Sequence, residues 1–391
     1  MLKRVAIIVE RADVSLGGAE RSMFEVANAL SSLGLKVDVL AATGEATADN
    51  VHILCSDVPS DRVSLTVYAE ALKRHIAETD YDLIHSVLPF TGINLYQPRG
   101  GTYAEAIQRN AASYPSRLAR RWKTMTAFAN LRRLRLLRVE RRCCHGLAGP
   151  IVAALSRYVA EQLRRHYATD PRRIVLTLNG VDTDRRIDPG VTSNRRKQLL
   201  AQLSVPVAEE PVLFLFAAHN FRLKGLYPLI QAMRRVAGTG QPACLIVAGA
   251  GRSNGYRRLA RHMGIEERVL FLGPVDDIRS TLSAVDVGIL PTFYDPSSRF
   301  ILEALAAGKP VITTRFNGAT DHFTDGRHGK VIDSPDNIPA LADAISHFAD
   351  RANIAAASQA IAQDNLKANI SVRRVASELL RLYEIMIESR K

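Results

Sequence analysis

Cysteine is scarce in this chain, with four residues among 391. Two of them, Cys143 and Cys144, are adjacent, and no ligand spacing surrounds them. A disulfide framework and a cysteine metal site are both excluded on that ground. Long apolar runs are absent too. The longest, residues 212–218 and 244–250, fall far short of the roughly 20 residues that span a bilayer. The apolar stretch at residues 5–9 is cut off by Glu10, Arg11 and Asp13, which leaves no secretory h-region. The cytoplasm is the expected compartment. The chain also lacks an RRM, KH, zinc-finger or clear helix-turn-helix signature, so no nucleic-acid partner is expected. What is there is ordinary for a globular protein: 47% hydrophobic and 23% charged residues, over a length that calls for two domains.

Acidic residues are in short supply, 39 against 52 Lys and Arg, for a net charge of +13. The imbalance is local. Residues 107–142 hold eleven Lys or Arg and one acid, Glu140. Within that segment residues 116–142 read as helix, because Leu118, Trp122, Met125, Phe128, Leu131 and Leu134 recur at three- and four-residue steps. Two readings stand side by side. In one, the apolar stripe packs on a domain core and the charges are solvated. In the other, a basic amphipathic element rests on an anionic membrane face or meets an anionic acceptor.

Elsewhere short apolar runs alternate with amphipathic stretches. Strands are expected at residues 5–9, 36–42, 83–87, 147–154 and 174–178, with helices at 19–33, 65–79, 103–112 and 157–167. Residues 181–211 are polar and rich in breakers, and read as a linker. A second series follows, with strands at 212–216, 244–248, 269–272, 287–290 and 311–314 and helices between them. Residues 338–391 read as mostly helical. This is an α/β chain of two doubly wound Rossmann-like domains, expected at 1–182 and 183–370, with a C-terminal helix at 371–391. In such sheets ligands bind outside the carboxyl ends of the strands.

Five strand-end loops carry candidate chemistry. Gly17-Gly18-Ala19-Glu20-Arg21 leads from the first strand into a helix, whose N-terminus can receive an anion. It lacks the G-x-G-x-x-G spacing of a dinucleotide fingerprint. Arg222 and Lys224 follow strand 212–216 and suit a diphosphate. Gly249 and Gly251 would let a base or ribose lie close. Pro274 and Val275 border the next strand end. The fifth, Asp295 to Glu303 with Ser297-Ser298-Arg299-Phe300 between, sets two carboxylates eight residues apart across a helix start.

These elements in this order resemble a family 4 retaining glycosyltransferase of the GT-B fold, over nearly the whole chain. Tyr81-Asp82-Leu83-Ile84-His85, Ser156-Arg157 and Asn179-Gly180-Val181-Asp182 belong to the likeness. Through Leu95-Tyr96, Tyr103-Ala104-Glu105 and the basic segment, the chain is most similar to the lipopolysaccharide-core glucosyltransferase type. The resemblance implies two domains facing a cleft and transfer of a sugar from a nucleotide diphosphate sugar, a UDP-sugar above others, to an acceptor hydroxyl. The implied acceptor is a glycolipid or glycan at the inner membrane face. No essential cofactor or metal is implied. Arg222 and Lys224 would neutralise the diphosphate, Glu303 would hold the ribose, and Asp295 would face the donor sugar. Backbone N–H groups at Ser298, Arg299 and Phe300 would touch phosphate or sugar. Gly17 and Gly18 would close over the donor, while Gly249, Gly251, Pro274 and Val275 border the base. The C-terminal helix would cross back to the first domain.

Two positions depart from the family pattern. Asp295 stands where the family has glutamate. Gly100 stands where relatives of the lipopolysaccharide-core type carry aspartate, so no base is carried over. His85, at a strand end expected to face the cleft, is the substitute candidate, against a polar residue with no chemical role. The alternatives in function are a non-catalytic nucleotide-sugar-binding protein and a nucleotide-sugar epimerase of the same fold.

Overall fold

The computed structural model describes residues 2–13, 18–56, 63–127, 131–184, 187–203 and 210–389. The chain divides into two compact units: Met1–Ile107, Met125–Asp182 and Ser371–Lys391 in one, Gln108–Thr124 and Thr183–Ile370 in the other. The expected first domain ran unbroken over 1–182. The structure instead groups Gln108–Thr124 with the second unit.

Chain order in the first half is β1 (Arg4–Ala12), α1 (Gly18–Ser32), β2 (Lys36–Gly44), β3 (Val51–Ile53), α2 (Leu65–Glu78), β4 (Leu83–Ser86) and β5 (Leu95–Tyr96). There follow α3 (Tyr103–Ala112), α4 (Arg117–Ala127), α5 (Leu131–Cys144), β6 (Ile151–Ala154), α6 (Arg157–Tyr167) and β7 (Ile174–Leu176). Among the described residues the sheet order is β3-β2-β1-β4-β5-β6-β7, and every pairing is parallel. Alternation along β1 sends Val5, Ile7 and Val9 to one buried cluster and Ala6 and Ile8 to another. Both faces are thus covered, as a parallel sheet requires. The strands β3 and β5 are too short for an alternation to register, and the sequence reading has neither.

The second half runs α7 (Pro189–Gln202), β8 (Val212–Ala217), α8 (Leu226–Ala237), β9 (Ala243–Ala248), α9 (Asn254–His262), β10 (Val269–Gly273), α10 (Ile278–Ser283) and β11 (Val287–Leu290). It continues through α11 (Arg299–Ala306), β12 (Val311–Thr314), β13 (Gly329–Ile332), α12 (Ile338–Ala349), α13 (Arg351–Gln363), α14 (Leu366–Asn369) and α15 (Val372–Glu388). Its parallel sheet has the order β10-β9-β8-β11-β12-β13. All six residues of β9 are buried. The helix α7 lies inside the stretch read as linker. It is capped by Asp188, which accepts from Gly190 and Val191, with Pro189 at its first turn. Arg196 on α7 ties it down through Asp286 at 3.1 Å and Glu210 at 2.6 Å. In the first unit α15 packs on α1, burying Val375, Ala376, Leu379 and Tyr383.

The described residues of the basic segment are helical on either side of 128–130, as α4 and α5; residues 128–130, including Phe128, lie outside the described residues. Glu140 anchors α5. Fully buried, it accepts from Tyr96 Oη at 2.8 Å, from Tyr103 N at 2.8 Å and from Tyr167 Oη. Burial raises its pKa to about 7, although these bonds pull the other way. The folded chain therefore keeps this proton to higher pH than the unfolded chain, where a glutamate titrates near 4.5. The stabilisation is complete below that value and is lost as pH rises through about 7. Wild type should lose about 3 kcal/mol relative to Glu140→Gln on going from acid to mildly alkaline solution. Denaturant midpoints of the two proteins across that window check this; parallel curves would refute it.

Candidate active site

The second sheet reverses direction of growth between β8 and β11, which are hydrogen-bonded neighbours. Ligand sites of open α/β sheets form at such a point, beyond the strand carboxyl ends. Two loops leave there. After β8 the chain turns tightly: Lys224 N donates to Asn220 O and Leu226 N to Phe221 O. Gly225 ends the turn at φ +82°, and a Cβ there would run into the Pro291 carbonyl. A side chain at this position is excluded twice, by conformation and by space. After β11, Thr292 Oγ1 accepts from Tyr294 N, and Phe293 N donates to Leu223 O at 2.9 Å. The two loops are thereby bound to each other.

That join brings Lys224 to Asp295. Lys224 Nζ stands 2.7 Å from Asp295 Oδ2 and 2.9 Å from Tyr294 O. Both side chains are largely buried, at 20% and 14% exposure. Asp295 Oδ1 accepts from Ser297 N, and its backbone is pinned by Phe316 O and Gly318 N. Ser298 caps α11, accepting from Ile301 N. Its own N–H, expected to meet phosphate or sugar, donates to Asn317 Oδ1 at 3.1 Å. Asn317 is fully buried and also accepts from Ala319 N and donates to Thr313 Oγ1. It organises the loop and is absent from the sequence reading; the Asn-Gly pair just past β12 is the signal that could have found it. Glu303 and Arg299 lie one turn apart on α11 and pair at 3.3 Å. Phe300 is buried on the same helix.

Arg222 stands elsewhere. Its guanidinium lies 3.8 Å from the Tyr114 ring centroid and donates to Asn110 O at 3.1 Å and to Ser113 Oγ. Arg109 lies likewise over Phe316, at 3.6 Å. Residues Gln108–Thr124 are thus fastened to the second unit by stacked arginines. In this structure only Lys224, of the two expected diphosphate cations, is at the Asp295 loop. Gly249 and Gly251 leave no room for a side chain. A Cβ on Gly249 would meet the Ala218 carbonyl, and one on Gly251 would lie 2.7 Å from the Phe221 ring. These glycines let the two loops pack closely on each other. Pro274 is exposed and Val275 half-buried beyond β10.

In the first unit, Gly17 lies outside the described residues and Gly18 opens α1, exposed. His85 is on β4 with no exposed surface, where an open strand end was expected. Its Nδ1 shares a 2.6 Å hydrogen bond with Tyr383 Oη on α15. Burial first, and the Arg99 charge second, press its pKa down to about 3. The imidazole is neutral and weakly basic, fastened into helix packing, which is a poor setting for a general base. Arg99, nearly buried, donates to Gln97 Oε1, Asn179 Oδ1 and Ser22 Oγ. Among the described residues no group of three or more His, Cys, Asp or Glu is arranged to hold a metal ion.

Two family models match the chain. One described as Glycosyltransferase Family 4 covers residues 16–185, and one described as Glycosyl transferases group 1 covers residues 210–351. The chain belongs to glycosyltransferase family 4. It is an enzyme of that family, with the two parallel-sheet domains of the GT-B fold. It is 22% identical over 325 residues to the lipopolysaccharide glucosyltransferase WaaG of Escherichia coli, covering 82% of each chain. The crystal structure of WaaG superposes with a TM-score of 0.75 at 19% identity, over 98% of this chain and 99% of that one. Anabaena HepE in complex with UDP-glucose gives 0.71 at 18% identity, over 97% and 99%. No helix among the described residues of this glycosyltransferase is long and apolar enough to cross a membrane.

Proposed function

We propose that this glycosyltransferase moves a sugar from a UDP-sugar to a hydroxyl of a lipopolysaccharide-core-like glycolipid, with retention, at the inner face of the cytoplasmic membrane. The observation that carries the reading is the Lys224–Asp295 pair at the reversal point of the second sheet. A diphosphate would draw Lys224 Nζ away from Asp295, and the freed carboxylate would accept from a donor-sugar hydroxyl. One ion pair is thus exchanged for two charge-assisted contacts with the donor. Glu303 is assigned to the ribose. Arg222 can join only by leaving Tyr114, so Lys224 is the group assigned to the leaving phosphate. The UDP-glucose complex of HepE supports the donor class, and the name of WaaG supports the acceptor class.

The anomeric carbon–oxygen bond to the diphosphate breaks, and its electrons go to the phosphate that Lys224 neutralises. The acceptor oxygen bonds to that carbon from the same face. Its proton passes to the departing phosphate oxygen. No protein nucleophile takes part, which agrees with the sequestered His85 and with Gly100. A thermal-shift panel of nucleoside diphosphates tests the donor site: UDP should raise the midpoint by the equivalent of about 2.7 kcal/mol at a hundredfold excess over its Kd. Proton NMR of the glycoside formed tests retention, and an inverted anomeric configuration would overturn it.

The membrane reading rests on α4. Leu118, Trp122 and Met125 fall on one face and are 82%, 63% and 67% exposed, so this part of the apolar stripe does not pack on a core. Arg117, Arg121 and Lys123 flank it. Such a helix lies in the headgroup boundary, apolar side down. Leu118→Asp with Trp122→Asp should weaken retention on phosphatidylglycerol vesicles by at least about tenfold, since each side chain brings roughly 1.5–3 kcal/mol of burial. Unchanged sedimentation would remove the helix from the membrane.

A further inference from the structure

We infer a phosphate-binding site on α5 of the first unit, distinct from the donor site and from α4. Arg138, Arg141, Arg142 and His145 follow one another at helical spacing on a single face and line an open surface hollow. All four residues are exposed. Among the described residues none of the three arginines has a carboxylate partner. A solvated basic helix ordinarily intersperses acids with its arginines. Here the single acid of α5, Glu140, is turned into the core and held by Tyr96, Tyr103 and Tyr167.

Two further features favour an anion. A helix carboxyl end repels one, but Arg173 donates to the carbonyls of Cys143, Cys144, His145 and Gly146 and neutralises that end. His145 Nδ1 lies 2.9 Å from Tyr167 O. A carbonyl only accepts, so Nδ1 carries the proton and the imidazole is fixed in orientation. Guanidinium forks match the oxygens of a phosphate monoester, which offers more charge and more unshared oxygens than a diester. The ligand class is a phosphate monoester or diphosphate, carried by a lipid headgroup or by a soluble molecule.

The test uses the full chain, as wild type and as Arg138→Ala with Arg142→Ala. Probes are inorganic pyrophosphate, and phosphatidylcholine vesicles containing either phosphatidic acid or phosphatidylglycerol at matched surface charge. A lipid source predicts retention on phosphatidic acid vesicles about tenfold above phosphatidylglycerol, with the excess gone in the double variant. A soluble source predicts that pyrophosphate raises the wild-type melting temperature after the donor site is saturated with UDP, that the double variant loses this rise, and that the vesicles are not told apart. Arg142→Lys should keep the charge and lose most of the preference. Equal loss on both vesicle types together with no pyrophosphate shift in wild type would reduce the face to diffuse charge and overturn the site. So would a double variant that keeps both its vesicle retention and its pyrophosphate shift. The UDP shift of the double variant should equal that of wild type, which separates failure here from failure of the donor reading.

Discussion

Lys224→Ala is expected to lower kcat/KM by about 10²–10³ and to abolish the thermal shift given by UDP. Of the two cations expected at the diphosphate, the lysine is the one seated at the Asp295 loop, so its loss removes the charge assigned to the departing diphosphate. Deleting a single preorganised donor at such a point costs about 2.7–4 kcal/mol of transition-state stabilisation. The two partners should then separate by kinetics. In Lys224→Ala the binding of nucleotide fails along with transfer. In Asp295→Asn the lysine is left without its carboxylate and should hold diphosphate at least as well, while kcat falls because the sugar hydroxyl exchanges a charged acceptor for a neutral one. Titration of UDP against each variant, beside steady-state rates, checks both. A Lys224→Ala enzyme with an intact UDP shift would sink the assignment. Circular dichroism guards against a trivial cause, and none is expected: the turn is held by backbone bonds, from Lys224 N to Asn220 O, Gly225 N to Arg222 O and Leu226 N to Phe221 O, which an alanine keeps.

The second large effect is on stability. Arg173→Met should destabilise the protein by about 3–5 kcal/mol, a fall in melting temperature on the order of 10 °C. Arg173 is 5% exposed. Its guanidinium donates to five carbonyls, those of Cys143, Cys144, His145, Gly146 and Pro150. It closes the end of α5 and the loop that carries the chain to β6. Methionine fills similar space but leaves several of these oxygens unsatisfied in a dry setting, and that penalty exceeds the worth of the bonds themselves. Arg173→Lys keeps the charge but cannot span the fork, and should fall between the two. Gly149 supports the same arrangement, because a Cβ there would lie 2.5 Å from Arg173 Nη2. Calorimetry of the three proteins decides it; a methionine variant within 1 °C or so of wild type would show that water replaces the guanidinium.

Much of the layout could be read from order along the chain. The two βα series, the capped start of α11 at Ser298 and the confinement of excess charge to residues 107–142 are local properties, set by periodicity, breakers and composition. The helix α7 was also legible in principle through Asp188 and Pro189. Its weak apolar face hid it, since Leu199 is its one buried residue. A polar helix and a polar linker differ little in pattern, and what decides between them is the pairing of Arg196 with Asp286 far along the chain.

The site shows the same division. Residue type announced Lys224 and Asp295 as candidates, but they are 71 positions apart. They meet because β8 and β11 are neighbours in the sheet, a matter of strand order that no local pattern encodes. Tertiary structure also turned Arg222 onto Tyr114, gave the Ser298 N–H to Asn317 and buried His85 against Tyr383. Each is a competition between ligand and chain for the same hydrogen bond or the same volume. Sequence establishes which groups can compete. Packing, which depends on what lies opposite, selects the winner. The exposed face of α4 is the converse case: periodicity defined the stripe of Leu118, Trp122 and Met125, and the fold left it without a core to join.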